Sequence, residues 1–209
     1  FTFLNEIEAR WNRAEGETGL PGTFKAGAWF QSGQLADPLA DSTASGNSGY
    51  YFILDQMVFR ESTPSAPQPS AGGKAVVPSG KSAKSLEAPI TSAPTDQGLG
   101  WFVRMAFTPQ DRNVVNFYFD TGLTFKGLVP TRDNDTMGIG FGYAQLSNGA
   151  LAASAAEGTF VSRSEMVLEL TYQAELTPWL IFQPDLQLLL NPRGNPDALV
   201  LGGRATIIF

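Results

Sequence analysis

The chain has 209 residues, with 22 glycines, 11% aromatic residues, no cysteine and no histidine, and its 14 basic and 20 acidic side chains leave a net charge of −6. Zero cysteine removes disulfides and thiol catalysis. Zero histidine removes a Ser-His-Asp triad and the commonest metal ligand, so no catalytic residue, metal or cofactor is expected. The acidic balance argues against a nucleic-acid partner. No run approaches about 18 apolar residues, which excludes a transmembrane helix but not a membrane β-barrel, because half of each barrel strand faces a polar lumen.

In chain order, Phe1 to Arg10 reads as a strand, with Phe1, Phe3, Ile7 and Ala9 on one face and Glu6, Glu8 and Arg10 on the other. A polar turn over 12–22 leads to a second strand over 23–31. It sets Phe24, Ala26, Ala28 and Phe30 against Lys25, Trp29 and Gln31. Residues 32–49 are small and acidic and read as a long loop. Tyr50 to Arg60 is an aromatic-rich strand in which Asp55 and Gln56 cannot share a face, a conflict that a bulge would reconcile. The stretch 62–98 has six prolines, many serines and alanines and no aromatic residue. It reads as a flexible insert between barrel strands in 1–61 and in 99–209.

Alternation resumes with Leu99, Trp101, Val103, Met105 and Phe107 on one face and Arg104 opposite. After a short polar turn, Val115, Phe117, Phe119, Leu123 and Phe125 oppose Asn116, Tyr118, Asp120, Thr124 and Lys126. A charged turn over 130–135 precedes a glycine-rich strand, in which Gly138, Gly140 and Gly142 alternate with Ile139, Phe141 and Tyr143. Such glycines admit a neighbour's bulky side chain or a bend. Residues 147–162 read as a loop. Three long strands close the chain. The first carries Glu165, Val167, Glu169, Thr171, Gln173 and Glu175 on its polar side. The second carries Gln183, Asp185 and Gln187, and the third Arg204 and Thr206.

The terminal strands have about ten residues or more, against the five or six usual in soluble domains. That length suits a strand tilted across a bilayer. The reading is therefore all-β: an antiparallel transmembrane β-barrel of the outer-membrane porin type, with about nine strands in this chain. Nine is odd, whereas bacterial single-chain barrels have even counts, so further strands are expected upstream of Phe1. Competing chemistry is weak. Glu169 and Glu175, on one strand, stand roughly 20 Å apart at about 3.4 Å per residue, too far for a glycosidase pair. The glycine run has no following helix and lysine to bind phosphate.

Several stretches resemble the carbohydrate-selective porin family, OprB. They are Gly49-Tyr50-Tyr51-Phe52-Ile53-Leu54-Asp55-Gln56, Asp96-Gln97-Gly98-Leu99-Gly100-Trp101-Phe102-Val103-Arg104, and Thr108-Pro109-Gln110-Asp111-Arg112-Asn113. Gly127-Leu128-Val129-Pro130-Thr131-Arg132-Asp133-Asn134-Asp135 and the end of the chain, with Leu176-Thr177-Pro178-Trp179 and Gln183-Pro184-Asp185-Leu186-Gln187, complete the match. The resemblance implies a barrel of sixteen strands in the outer membrane of a Gram-negative cell, of which this chain forms the C-terminal part. It also implies passage of glucose-like mono- or oligosaccharides into the periplasm by facilitated diffusion. Phe209 resembles the aromatic end residue that the outer-membrane assembly machinery recognises. Counting strands back from it puts the insert on the periplasmic side.

The side chains expected to line the lumen or contact substrate are Lys25, Trp29, Arg104, Asn116, Tyr118, Asp120, Lys126, Glu169, Gln173, Asp185, Gln187 and Arg204. Their carboxylates, amides and guanidinium groups can exchange hydrogen bonds with sugar hydroxyls. The expected partners are outer-membrane lipid and lipopolysaccharide, carbohydrate solutes, the upstream barrel strands, the assembly machinery and a periplasmic partner of the insert. Two other readings stand beside this one: a general or structural outer-membrane barrel without sugar selectivity, and a soluble β-rich carbohydrate-binding module.

Overall fold

The computed structural model describes residues 1–13, 17–37, 43–61, 97–159 and 161–209. The flexible insert expected at 62–98 lies, except for its last two residues, outside the described residues. The elements are β1 (Thr2–Trp11), β2 (Gly22–Ala36), β3 (Thr43–Arg60), β4 (Gly98–Phe107), β5 (Val115–Lys126) and β6 (Thr136–Leu146). There follow α1 (Asn148–Ala156), β7 (Ser164–Thr177), β8 (Leu180–Leu190), a 3-10 turn (Pro192–Gly194) and β9 (Ala198–Ile207). The strands form one sheet of nine in sequence order, and every pairing is antiparallel. Among the described residues β1 and β9 do not pair, so the sheet is open at both edges.

The period-two pattern builds this sheet because side chains alternate between faces and the register keeps each row on one face. One row runs Glu8, Lys25, Ile53, Arg104, Asp120, Gly142, Val167. The next runs Phe102, Gly122, Gly140, Glu169, Gln187. These rows make a polar face. The alternate positions make an apolar face, where Phe52, Phe107, Phe117 and Tyr143 form a line of ring contacts across β3 to β6, with centroids 6.4, 5.0 and 6.1 Å apart. Such pairs contribute about 0.5–1.5 kcal/mol each beyond the area they bury.

Among the described residues the sheet has no apolar interior of its own. Among the described residues only Ala150 and Ala174 are both apolar and buried, while Phe24, Phe52, Ile139, Leu170 and Leu186 stand exposed on the apolar face. A soluble sandwich would cover such a face with a second sheet. An apolar face this continuous needs an apolar solvent.

Three sequence expectations change. Residues 32–49 are mostly strand rather than loop: β2 reaches Ala36 and β3 begins at Thr43, with a register shift between Gln31 and Gln34. Pairing continues there because small and polar residues fill a ladder as well as a loop when both strands run on together. Residues 147–162 hold α1, an alanine-rich helix. Its start is fixed by the fully buried Ser147, whose hydroxyl accepts from the Ala150 amide at 3.0 Å. The β3 bulge falls between Met57 and Phe59, beyond Asp55 and Gln56, which simply face opposite ways. Gln56 is tolerated on the apolar side because it sits at the sheet end. There it accepts from the Trp11 indole at 3.0 Å and donates to the Met57 carbonyl at 2.7 Å.

Two turns are pinned to the sheet. Arg112, in the β4–β5 turn, donates to the carbonyls of Ser45 and Gly46 at 2.9 and 2.7 Å and holds the β2–β3 hairpin. Asp135, at the end of the β5–β6 turn, is buried. It accepts from Tyr172 at 2.5 Å, from Arg132 at 2.7 and 3.1 Å and from the Glu175 amide at 2.9 Å.

Candidate functional site: the polar face of the sheet

The sequence-expected residues form neighbouring clusters on the polar face rather than one site. On β1 to β3, the Lys25 ammonium lies 3.4 Å from Glu6 and 3.7 Å from Glu8, and the Tyr51 hydroxyl donates to Glu6 at 2.6 Å. Arg10 also pairs with Glu8. The Trp29 indole lies over Gly49, where an added Cβ would come within 2.5 Å of the ring nitrogen. Tyr51 covers Gly27 in the same way. A glycine in one strand thus lets an aromatic ring of the next lie flat along the face.

On β4 and β5, Arg104 stands opposite Asp120 and binds it with two nitrogens, the Nε contact being 2.9 Å. Tyr118 donates to the same carboxylate at 2.9 Å. The Asp120 side chain is 8% exposed and the Arg104 side chain 53%, so the carboxylate is sunk in the wall and the guanidinium reaches outward. Asn116 is differently engaged: with its amide oriented to satisfy both its nitrogen and its oxygen, the nitrogen donates to the Gln145 and Leu146 carbonyl oxygens at 3.1 and 3.2 Å, beside the register shift at the start of β5. It braces the strand end.

On β7 to β9, Gln187 donates to Glu169 at 3.3 Å and to Asp185 at 3.1 Å. Arg204 donates to Gln183 at 2.5 Å, and Gln183 donates to the Thr171 hydroxyl at 2.8 Å. Lys126 and Gln173 lie toward one end of the sheet. Both pair with Thr136, at the end of the sheet that carries the β5–β6 turn.

A cavity of about 300 Å³ opens on this face between the second and third clusters, lined by Phe102, Arg104, Asp120, Gly140 and Glu169 among others. Its floor is Gly140, which the register sets between Gly122, covered by the Phe102 ring, and Glu169. Phe102 and Tyr51 were missed by sequence reasoning, and Thr171 was placed on the polar side but not singled out. An aromatic residue in a polar row breaks the pattern, and its place becomes readable only once the glycine opposite it is known. The run Gly138, Gly140, Gly142 was the available signal.

The chemistry here is that of binding. Among the described residues no group of three or more acidic side chains is placed to hold a metal ion. The carboxylates are engaged by guanidinium, ammonium, amide or phenol groups of both strands and neighbours. Charges of both signs alternate across the face, which suits neutral polar solutes better than ions of one sign.

Comparison with known proteins follows the same lines. Residues 3–209 match the family described as carbohydrate-selective porin, OprB family. The high-pH structure of Pseudomonas putida OprB is similar, with 20% identity and a TM-score of 0.69 over 97% of this chain and 47% of that one. The low-pH structure of the same protein gives 20% identity and a TM-score of 0.53 over 98% of this chain and 45% of that one. The chain spans about half the length of these structures. No curated protein matches it.

Proposed function

We propose, from the premise that the chain belongs to the carbohydrate-selective porin (OprB) family, that it forms part of an outer-membrane pore through which glucose-like mono- or oligosaccharides diffuse into the periplasm. The observation that carries this is the division of one sheet into two faces. One is a continuous apolar surface that no other described residues cover, and the other is a lattice of paired charges and amides. The first faces lipid and the second a water-filled lumen.

The open edges belong to the same reading. Successive antiparallel pairing makes β1 and β9 run in the same direction, so antiparallel closure requires an odd number of further strands. Seven would complete a barrel of sixteen. The 62–98 insert leaves the sheet at the end that also carries the two-residue β7–β8 turn, a placement that fits short periplasmic turns.

No covalent step is involved. A sugar entering the lumen exchanges water hydrogen bonds for those of the Lys25, Arg104, Glu169, Asp185, Gln187 and Arg204 side chains, at little net cost. Trp29 and Tyr118 add aromatic surface. The pairs across strands keep these long side chains ordered, so a passing solute does not have to order them.

The test is single-channel conductance of the full-length protein in a planar bilayer, with glucose or short oligosaccharides added. Stable conductance that falls with sugar concentration is the expected result. Conductance indifferent to every sugar would make this a general pore, and no conductance from correctly folded protein would sink transport altogether.

A further inference from the structure

The cavity on the polar face has a hole in an otherwise covered lattice. Each of the three glycines around Gly140 lies under a neighbour's side chain. A Cβ on Gly122 would meet the Phe102 ring at 2.7 Å, one on Gly142 would meet Val167 at 2.9 Å, and one on Gly138 would meet Thr171 at 3.0 Å. Gly140 is the exception: the nearest heavy atom to a Cβ built there is a backbone oxygen at 4.0 Å. Its backbone is ordinary strand. Above Gly140 there is therefore space bounded by Phe102 on one side, Glu169 on the other, and Val167 and Thr171 along the strand direction.

The walls of that space differ in chemistry. Phe102 is an apolar wall, with the Arg104 guanidinium carbon 5.1 Å from its ring centre. Arg104 spends two of its nitrogens on Asp120 and has donors left, since a guanidinium carries five N–H groups. Opposite, Glu169 takes one bond from Gln187 and has acceptor capacity left, since a carboxylate offers about four lone-pair sites. An apolar wall, outward donors on one flank and an acceptor across a side-chain-free floor match a ring that has one C–H face and a rim of hydroxyls.

We propose that the cavity over Gly140 is a seat for a single neutral pyranose, with Phe102 against its C–H face, Arg104 and Glu169 bonding hydroxyls on opposite edges, and Gly140 admitting it by having no side chain. The seat rests on the sugar-porin reading. It lies on the barrel wall, so a sugar held there narrows the pore without having to thread a closed ring of residues.

The full-length protein is tested in planar bilayers with glucose and, separately, with sorbitol, a linear polyol of similar hydroxyl content. The variants are Gly140→Leu, Gly140→Ala and Phe102→Ala, each checked for folding by heat-dependent gel mobility. Wild-type channels should show glucose-dependent current reduction and little response to sorbitol. Gly140→Leu, which fills the space, and Phe102→Ala, which removes the wall, should each weaken glucose binding about tenfold, the effect of about 1.4 kcal/mol. Gly140→Ala should give a smaller loss, and it replaces the leucine variant if that one does not fold. Unchanged glucose affinity in folded variants of a glucose-responsive channel would overturn the seat and leave the porin reading standing. Equal response to sorbitol would overturn ring recognition. A wild-type channel that conducts but is blind to glucose would defeat the sugar-selective reading, leaving a general pore, and the seat with it.

Discussion

Asp135 shows how one side chain can hold a turn to a membrane sheet. Burial alone would raise its carboxyl. The bonds from Tyr172, Arg132 and the Glu175 amide, with the Arg132 charge, outweigh burial and bring it below the ordinary carboxylate value. A carboxyl depressed in the folded state adds stability that is fully present above its unfolded value of about 3.8 and is lost as pH falls through the lower folded value. Asp135→Asn should therefore lower stability by about 1.5–3 kcal/mol at neutral pH, the scale of hydrogen bonds to a charged group. It should also reduce the acid sensitivity of unfolding below about pH 4. Urea unfolding of the detergent-solubilised full-length protein at neutral and acid pH reads both. An unchanged midpoint at neutral pH would mean that the turn is held by its backbone bonds alone. Sequence reading marked this turn as charged but gave Asp135 no role, because two of its three partners, Tyr172 and Glu175, lie 37 and 40 residues away and only register brings them near.

At the scale of elements, the β2–β3 hairpin extends beyond its neighbours and is clasped at its root by Arg112 from the next turn but one. Removing a clasp opens local structure more than it unfolds the whole. Arg112→Ala should speed amide hydrogen exchange over 43–48 about fivefold, equivalent to roughly 1 kcal/mol, and leave exchange in the middle of β4 and β5 unchanged. Uniform acceleration along all strands would show instead that the turn supports the sheet globally. The contrast with the sequence is instructive here. Period two placed Lys25, Arg104, Asp120, Glu169 and Arg204 on the polar face without any coordinates, because a one-residue slip would turn every apolar side chain inward. The same period is blind to register. Nothing in the chain says that Arg104 stands opposite Asp120 rather than Thr124, and turn length, bulges and the extension of β2 to Ala36 settle that in space. The α1 helix escaped for another reason: a short alanine-rich stretch in a loop carries no face, and its N-cap serine is one of many serines.

For the whole molecule, the decisive quantity is the unpaired edge. In hydrocarbon each unsatisfied backbone N–H or C=O carries a penalty of several kcal/mol, so β1 and β9 must each find a partner. Pairing them with each other would make the sheet's one parallel contact, since all its described pairs are antiparallel. Intervening strands avoid this, and they would also flank Phe3 and Leu201, which are 57% and 78% exposed in the open sheet. The chain contains no cysteine, so engineered thiols report on neighbours without background. Leu188 and Leu199 are register partners on β8 and β9. In the full-length protein, Leu188→Cys with Leu199→Cys should form an intramolecular disulfide, because paired strands lie within the reach of about 7 Å that such a bond allows. Ile7→Cys with Leu201→Cys should not if the barrel is the sixteen-stranded one proposed above, in which seven strands separate β1 from β9. Oxidation followed by mobility on non-reducing gels distinguishes the two, and a β1–β9 bond formed within one molecule would mean that the nine strands close on themselves and that the sixteen-stranded barrel is wrong.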